Sequence, residues 1–209
     1  MFVNEWMTKN PTTVSPNTPV MEAMNILREG GYRRLPIVNN DKLVGIVTDK
    51  DLKNATPSQA TTLSVYELNY LLSKLTVNDV MKTEVVTISS TDTIESAALL
   101  MEEHKISGLP VVDYGEVVGM LTITDMLKAF IGVLGLREGG TRVTAILPDE
   151  PGILAKVSQA AAPSNIVAVV TAGVKEGDKR ELVLRVVGED SIDFPERLKA
   201  QGVEIADVR

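Results

Sequence analysis

The sequence predicts a mixed α/β (α+β) fold, in which two copies of one small unit pack as a pseudo-symmetric pair and a separate βαββαβ domain follows. Two observations predict this architecture. Shifting the sequence by 74 positions aligns two of its segments without a gap, which identifies an internal repeat. A run of glycines then marks a linker, beyond which a different order of strands and helices begins, at Gly132, Gly135, Gly139 and Gly140.

The repeat is clearest near the end of each copy. Gly45–Asp51 aligns with Gly119–Asp125, and both segments have glycine first, threonine fourth and aspartate last. Leu35–Val38 likewise aligns with Leu109–Val112 around a shared proline. The predicted organisation is therefore repeat 1 at 1–75 with a helical insert at 53–75, repeat 2 at 76–131, a linker at 132–140 and a second domain at 141–209.

Each repeat opens with a short strand and continues into an amphipathic helix. In repeat 2, Ile94, Ala97 and Met101 recur at helical spacing, with Asp92 as the expected N-cap. Two short apolar strands follow, joined in repeat 1 by the polar run 39–42, and this pattern predicts a hairpin. The second strand ends at the repeated threonine, so the Thr/Asp pair is predicted at a strand-to-helix junction.

The remaining residues predict strand, helix, strand, strand, helix and strand between Val143 and Val208. This order is typical of the ferredoxin-like arrangement, in which two helices cover one face of an antiparallel sheet. The loop between the first strand and the first helix contains Pro151 and Gly152, residues suited to a turn that starts a helix.

The amino-acid composition excludes several classes of functional site. Zero cysteines exclude disulfides and thiolate nucleophiles, and a single histidine excludes a multi-histidine metal cluster within one chain. The net charge of -7, with signs interspersed, argues against nucleic acid as a partner, which needs clustered Lys and Arg. Neither a membrane-spanning run nor a secretory signal is evident, so we expect a cytoplasmic protein with no membrane partner.

The repeated Thr/Asp junction suits a ligand. A threonine hydroxyl and a carboxylate three residues later can face one cleft, where the carboxylate accepts hydrogen bonds from the vicinal diol of a ribose. The helix N-terminus favours a nearby phosphate. The alternative is that Thr48/Asp51 and Thr122/Asp125 only cap helices. A cap tolerates Ser, Asn or Gly, whereas both repeats carry the same Thr and Asp behind the same Gly, which favours a ligand site.

These residues resemble CBS motifs, whose strand ends Gly-apolar-apolar-Thr-x-x-Asp, and the tandem resembles the nucleotide-sensing Bateman module. The resemblance implies AMP, ADP, ATP or S-adenosylmethionine as a regulatory ligand, with no cofactor required. It also implies crossed sites, in which the Thr/Asp pair of one repeat faces the first strand and the pre-proline segment of the other. One site then combines Thr48 and Asp51 with Val86, Thr87, Ser107, Gly108 and Pro110, and the other combines Thr122 and Asp125 with Thr13, Val14, Arg34 and Pro36.

Two cations are expected to bind phosphate at the Asp51 site. Arg33 precedes the repeated proline by three residues, a position that often reaches phosphate in CBS nucleotide sites, and Lys105 precedes it by five. The aligned positions are Ser107 and Gly31. The Asp125 site is therefore expected to be poorer in cations, unless Arg33 turns toward it.

The second domain resembles ACT domains, through their Asp-x-Pro-Gly loop and the Asn-Ile that opens their second strand. The resemblance implies an amino-acid site, and the alternative is a ligand-free dimerisation module. The whole order, with its helical insert, resembles the acetoin-utilisation AcuB group. The residues implied at the ACT site are Asp149, Pro151, Gly152, Asn165 and Ile166.

The hypothesis from the sequence is a non-catalytic regulatory protein, a homodimer that senses an adenosine nucleotide and acts on an unidentified partner protein. A ligand-free dimeric adaptor with degenerate pockets is the alternative. A transferase or hydrolase using Asp51 or Asp125 is disfavoured, because the sequence offers no evident nucleophile, metal cluster or Walker-type phosphate loop.

Overall fold

The structure of the protein, a computed structural model, describes residues 1–55, 70, 74–175 and 178–209. The chain divides into two compact units, Met1–Met126 and Leu127–Arg209. Most of the helical insert predicted at 53–75 lies outside the described residues. The boundaries predicted for the repeats and the linker stay predictions.

The elements of the two repeats follow the predicted order of helix, hairpin and helix. Repeat 1 contains α1 (Val3–Trp6), β1 (Thr8–Lys9), α2 (Val20–Gly30), β2 (Arg34–Asn39), β3 (Lys42–Thr48) and α3 (Asp49–Ala55). Repeat 2 contains a 3-10 turn (Val77–Asp79), α4 (Ile94–Glu103), β4 (Gly108–Asp113), β5 (Glu116–Thr122) and α5 (Ile123–Val133). The N-cap of α4 is Thr93 rather than Asp92, because the Thr93 hydroxyl accepts the Ser96 N–H whereas Asp92 accepts that of Ser89.

One antiparallel sheet joins the repeats in the order β1-β5-β3-β2, with β4 also pairing with β5. Both predicted hairpins are present, and Arg34 pairs with Thr48 as Gly108 pairs with Thr122. The opening strand predicted in each repeat is reduced to a single parallel bridge, Val14 to Ile37 in repeat 1. The equivalent bridge in repeat 2 joins Ile88 to Val111.

The opening segments of the repeats are exchanged. Thr8 of repeat 1 pairs with Met120 of repeat 2, and Lys82 of repeat 2 bridges to Ile46 of repeat 1. Val77 of repeat 2 is fully buried within the core of repeat 1. The opening segment of each repeat therefore pairs with a strand of the other repeat, which brings residues of both repeats to β3 and β5.

The second unit is the predicted βαββαβ domain. Its elements are β6 (Thr141–Pro148), α6 (Ile153–Ala161), β7 (Asn165–Lys175), β8 (Lys179–Val187), a 3-10 turn (Glu189–Asp193), α7 (Phe194–Ala200) and β9 (Glu204–Val208). The antiparallel sheet has the order β7-β8-β6-β9. Phe194 lies in its core with Leu184 and Leu198. Arg197 donates to the carbonyl oxygens of Ala160 at 2.7 Å and Ala161 at 3.2 Å, which satisfies the C-terminal end of α6.

Within the described part of the chain, no helix combines the length and the hydrophobicity that crossing a bilayer requires.

Candidate functional site

A cavity of about 350 Å³ lies within the first unit, at the end of β5. Its walls come from both repeats, because the exchanged opening segment of repeat 1 lies beside β5. Repeat 1 contributes Thr8, Asn10, Pro11, Thr12, Gly31, Tyr32, Arg33, Arg34 and Pro36, and repeat 2 contributes Ser107, Met120, Thr122, Ile123 and Thr124.

The strand-to-helix junction at this cavity is held by a buried carboxylate. Asp125 is only 4% exposed, and its Oδ2 accepts hydrogen bonds from the backbone N–H of Thr122 at 3.0 Å and from its hydroxyl at 2.7 Å. Asp51 holds Thr48 in the same way, at 3.0 Å and 2.5 Å. The two junctions are therefore equivalent in geometry as well as in sequence.

A third Thr/Asp pair shows that this geometry does not define a ligand site by itself. Asp79 accepts the backbone N–H and the hydroxyl of Thr76, both at 2.9 Å, at the start of a 3-10 turn. These bonds, the backbone one first, lower the pKa of the Asp79 carboxyl. Thr76 and Asp79 thus form a cap, whereas Thr122 differs from Thr76 in lining the cavity.

Arg34 connects the two repeats across the cavity wall. Its Nη1 donates to the carbonyl oxygen of Gly108 at 2.9 Å and its Nη2 donates to the Ser107 hydroxyl at 2.6 Å. Burial lowers the pKa of the Arg34 guanidinium, and the charge of Arg33 lowers it further. Among the residues that the structure describes, neither arginine forms an ion pair with a carboxylate.

Arg34 occupies the space that a side chain at position 108 would take, so in its present position the guanidinium leaves room only for glycine. A Cβ atom added to Gly108 would lie 2.6 Å from Arg34 Nη1 and 3.1 Å from the carbonyl oxygen of Leu121. Gly108 is also the residue that aligns with Arg34 in the repeat. One repeat therefore supplies a long cation where the other supplies no side chain.

The CBS domain family model matches residues 3–58 and 77–132, which together make up more than half of the chain. The chain belongs to the CBS domain family. A second model, the TTHA0829-like ACT domain, matches residues 139–209. The protein is thus a tandem CBS pair with a C-terminal ACT domain, as the sequence predicts.

Solved structures of CBS pairs resemble the first part of the chain. A Vibrio cholerae protein named as an acetoin utilization protein (AcuB) is 30% identical, with a TM-score of 0.55, covering 66% of this chain and 96% of that one. The CBS pair of protein MJ0100, in complex with 5′-methylthioadenosine and S-adenosyl-L-methionine, is 32% identical, with a TM-score of 0.52 and coverages of 62% and 99%. Arabidopsis thaliana CBSX2, in complex with AMP, is 31% identical, with a TM-score of 0.52 and coverages of 62% and 96%.

Several residues predicted for the Asp125 site of the CBS pair are brought together. Thr122, Arg34 and Pro36 line the cavity, and Asp125 holds Thr122. Thr13 and Val14 do not line it; Val14 is buried, and its N–H donates to the carbonyl oxygen of Pro36. The cavity uses the preceding Thr8, Asn10, Pro11 and Thr12 instead.

The sequence-based hypothesis assigns Arg33 to the Asp51 site unless it turns toward the Asp125 site, and the structure places Arg33 at the Asp125 cavity. Arg33 and Ser107, both assigned to the Asp51 site, line the cavity beside Thr122. The reason is that the crossed arrangement places the segment preceding β2 next to β5 of repeat 2. Arg33 therefore lies at the same cavity as Arg34. The cavity beside Thr122 therefore contains both arginines. Sequence reasoning also missed Tyr32, which lies in the same segment.

Around Asp51 the surroundings differ. Asp51 Oδ1 lies 4.0 Å from Nζ of Lys82, a residue that aligns with the cavity residue Thr8. Lys105 is exposed and has a left-handed backbone, with φ of 52°. The other predicted residues are the partly buried Val86, the exposed Thr87 and the buried Pro110, whose carbonyl oxygen accepts the Ile88 N–H. Their assignment to a nucleotide site stays a prediction.

The residues predicted for the ACT ligand site do not converge within one chain. Pro148, next to the Asp149 loop, pairs with Lys179, whereas Asn165 pairs with Val187 at the other end of β8. Eight residues of strand, about 26 Å, separate the two positions. Asp149 is instead paired with Arg180 at 2.6 Å, a hydrogen bond that lowers the pKa of the Asp149 carboxyl. The loop with Pro151 and Gly152 follows Pro148 at one end of the sheet, and Ile166 lies next to Asn165 at the other end.

No cluster of three or more His, Cys, Asp or Glu side chains arranged to hold a metal occurs among the residues the structure describes.

Proposed function

We propose that the CBS pair senses an adenosine-containing ligand in the cavity beside Thr122, and that binding regulates a partner protein without catalysis. The observation that carries the proposal is the cavity itself, which joins the carboxylate-held Thr122 junction to two guanidinium groups. Related CBS pairs in complex with AMP and with S-adenosyl-L-methionine support this ligand class. The resemblance to other CBS-pair proteins supports a regulatory role, and a cytoplasmic location stays a prediction.

Replacing Asp125 with alanine is expected to weaken AMP binding by about 5- to 150-fold, since losing a buried hydrogen-bonding partner costs about 1–3 kcal/mol. Without this carboxylate, the Thr122 N–H and hydroxyl lose the acceptor that fixes the junction. Isothermal titration calorimetry on the full chain measures the effect. Mass spectrometry of small molecules released from the denatured wild-type protein would identify the natural ligand.

The matched control is Asp79→Ala. It removes the same two hydrogen bonds from Thr76, away from the cavity, so it is expected to leave AMP affinity unchanged. Equal affinity of the Asp125 variant and the wild type would contradict the assignment of the site. A wild-type protein that binds no adenosine derivative would favour the ligand-free adaptor.

We also propose that the protein is a homodimer and that its ACT domain takes part in dimerisation. Helix α5 exposes Leu127 and Phe130 by 56% and 59%, with Val133 three residues further on, so apolar side chains follow one helix face. Burying such a face between two copies removes it from water. Light scattering at micromolar concentration should give the mass of a dimer, and a monomer at that concentration would contradict the proposal.

A further inference from the structure

We infer that the cavity beside Thr122 selects its ligand by the charge of the 5′ group, taking a phosphate-bearing nucleotide in preference to a neutral or sulfonium-bearing adenosine. The inference rests on the proposed function and narrows its ligand class. Related CBS pairs are found with AMP and with 5′-methylthioadenosine and S-adenosyl-L-methionine, so membership of the family leaves the choice open.

The charge of the cavity is unbalanced. Its described lining contains the guanidinium groups of Arg33 and Arg34 and no carboxylate. Both hydrogen-bond acceptors of Arg34, the Gly108 carbonyl and the Ser107 hydroxyl, are neutral. A partly desolvated cation without a counter-charge is unfavourable, and an anionic ligand would supply that charge.

The arginines also retain donors for such a ligand. A guanidinium has five N–H groups, and Arg34 uses one each on Nη1 and Nη2. The Arg33 side chain forms no hydrogen bond or ion pair with any described residue, and Arg33 lines the same cavity. One planar guanidinium can donate two parallel hydrogen bonds to the oxygens of a phosphate. A sulfonium would instead add a third positive charge beside the two arginines.

The preference for a 5′-phosphate applies to the Thr122 cavity and not to the CBS pair as a whole. The residues aligned with Arg33 and Arg34 are Ser107 and Gly108, neither of which carries charge. Near Asp51 the cation is Lys82, which lies within ion-pair distance of the Asp51 carboxylate. The two arginines thus distinguish the Thr122 cavity from the repeat-related Thr48/Asp51 junction.

Calorimetry on the full chain with AMP, adenosine, 5′-methylthioadenosine and S-adenosylmethionine tests the inference. We expect AMP to bind at least about tenfold more tightly than adenosine, with S-adenosylmethionine weakest, because hydrogen bonds to charged groups are the stronger ones. Arg33→Gln should reduce the AMP-to-adenosine affinity ratio about tenfold, since it removes one charge and leaves the hydrogen bonds of Arg34 in place.

The control is Arg28→Gln, which removes the same charge from an exposed arginine of α2 that lies outside the cavity lining. It should leave the ratio unchanged. If wild-type protein binds adenosine or 5′-methylthioadenosine as tightly as AMP, or if Arg33→Gln keeps the wild-type ratio, the charge selection is wrong and the proposed function stands. If none of the four compounds binds, the proposed function itself fails and the inference fails with it.

Discussion

Replacing Gly108 with valine is expected to lower the affinity for AMP by at least about tenfold, because the new side chain occupies the place of the Arg34 guanidinium. Arg34 would lose its hydrogen bonds to the Gly108 carbonyl and the Ser107 hydroxyl, which tie the repeats together. A hydrogen bond from a charged donor contributes about 1.5–3 kcal/mol when buried and less where solvent screens it. We therefore also expect the free energy of unfolding of the first unit to fall by about 1–3 kcal/mol.

Calorimetry with AMP and urea denaturation measure the two effects. The double variant Arg34→Ala/Gly108→Val serves as the control, since removing the guanidinium relieves the crowding without restoring the charge. It should recover part of the lost stability but little of the AMP affinity. Wild-type AMP affinity in Gly108→Val would show that the position of Arg34 does not matter for binding.

Replacing Phe194 with alanine is expected to have the largest effect on stability, lowering the free energy of unfolding of the second unit by about 3–5 kcal/mol. Phe194 is 0% exposed and lies among Leu184, Leu198 and other buried side chains of that core. Its truncation leaves a cavity as well as removing apolar contacts. Since domains are stable by only about 5–15 kcal/mol, much of the stability of this unit would be lost.

Urea denaturation followed by circular dichroism tests the prediction. Ile192, only two residues away, is 75% exposed, so Ile192→Ala should change stability by less than about 0.5 kcal/mol. AMP binding by the first unit should be retained in both variants. A Phe194 variant no less stable than the Ile192 variant would place Phe194 outside the core that stabilises this unit.

The fold class follows from the sequence because its determinants are local. Hydrophobic spacing within each repeat predicts the two hairpins, and the Thr/Asp motif predicts where each hairpin strand passes into a helix. The exchange of opening segments could not be predicted in this way. Thr8 pairs with β5 of repeat 2, although β3, the equivalent strand of its own repeat, has a similar sequence. A repeated sequence therefore does not specify which of the two copies a strand joins.

The residues that line the site could be predicted only in part, because the lining also depends on how the two repeats pack. Thr122, Arg34 and Pro36 follow from the repeat, whereas the sequence left two cavities open for Arg33, because the direction of a side chain depends on the packing of both repeats. In the ACT domain, two short motifs suggest one site although the strand pairing holds them at opposite ends of β8. Short motifs identify candidate site residues, but the topology of the sheet decides whether those residues lie close together.

The pairing of Arg34 with Gly108 has a consequence for how the two halves of the CBS pair can diverge. Equivalent residues that touch each other must straddle the axis relating the two repeats, so their side chains compete for one volume. Two identical copies of repeat 1 would bring two arginines to that point, and two copies of repeat 2 would leave it empty. Fusing the copies into a single chain frees this position from symmetry, so that one long charged side chain and one bare backbone can share it.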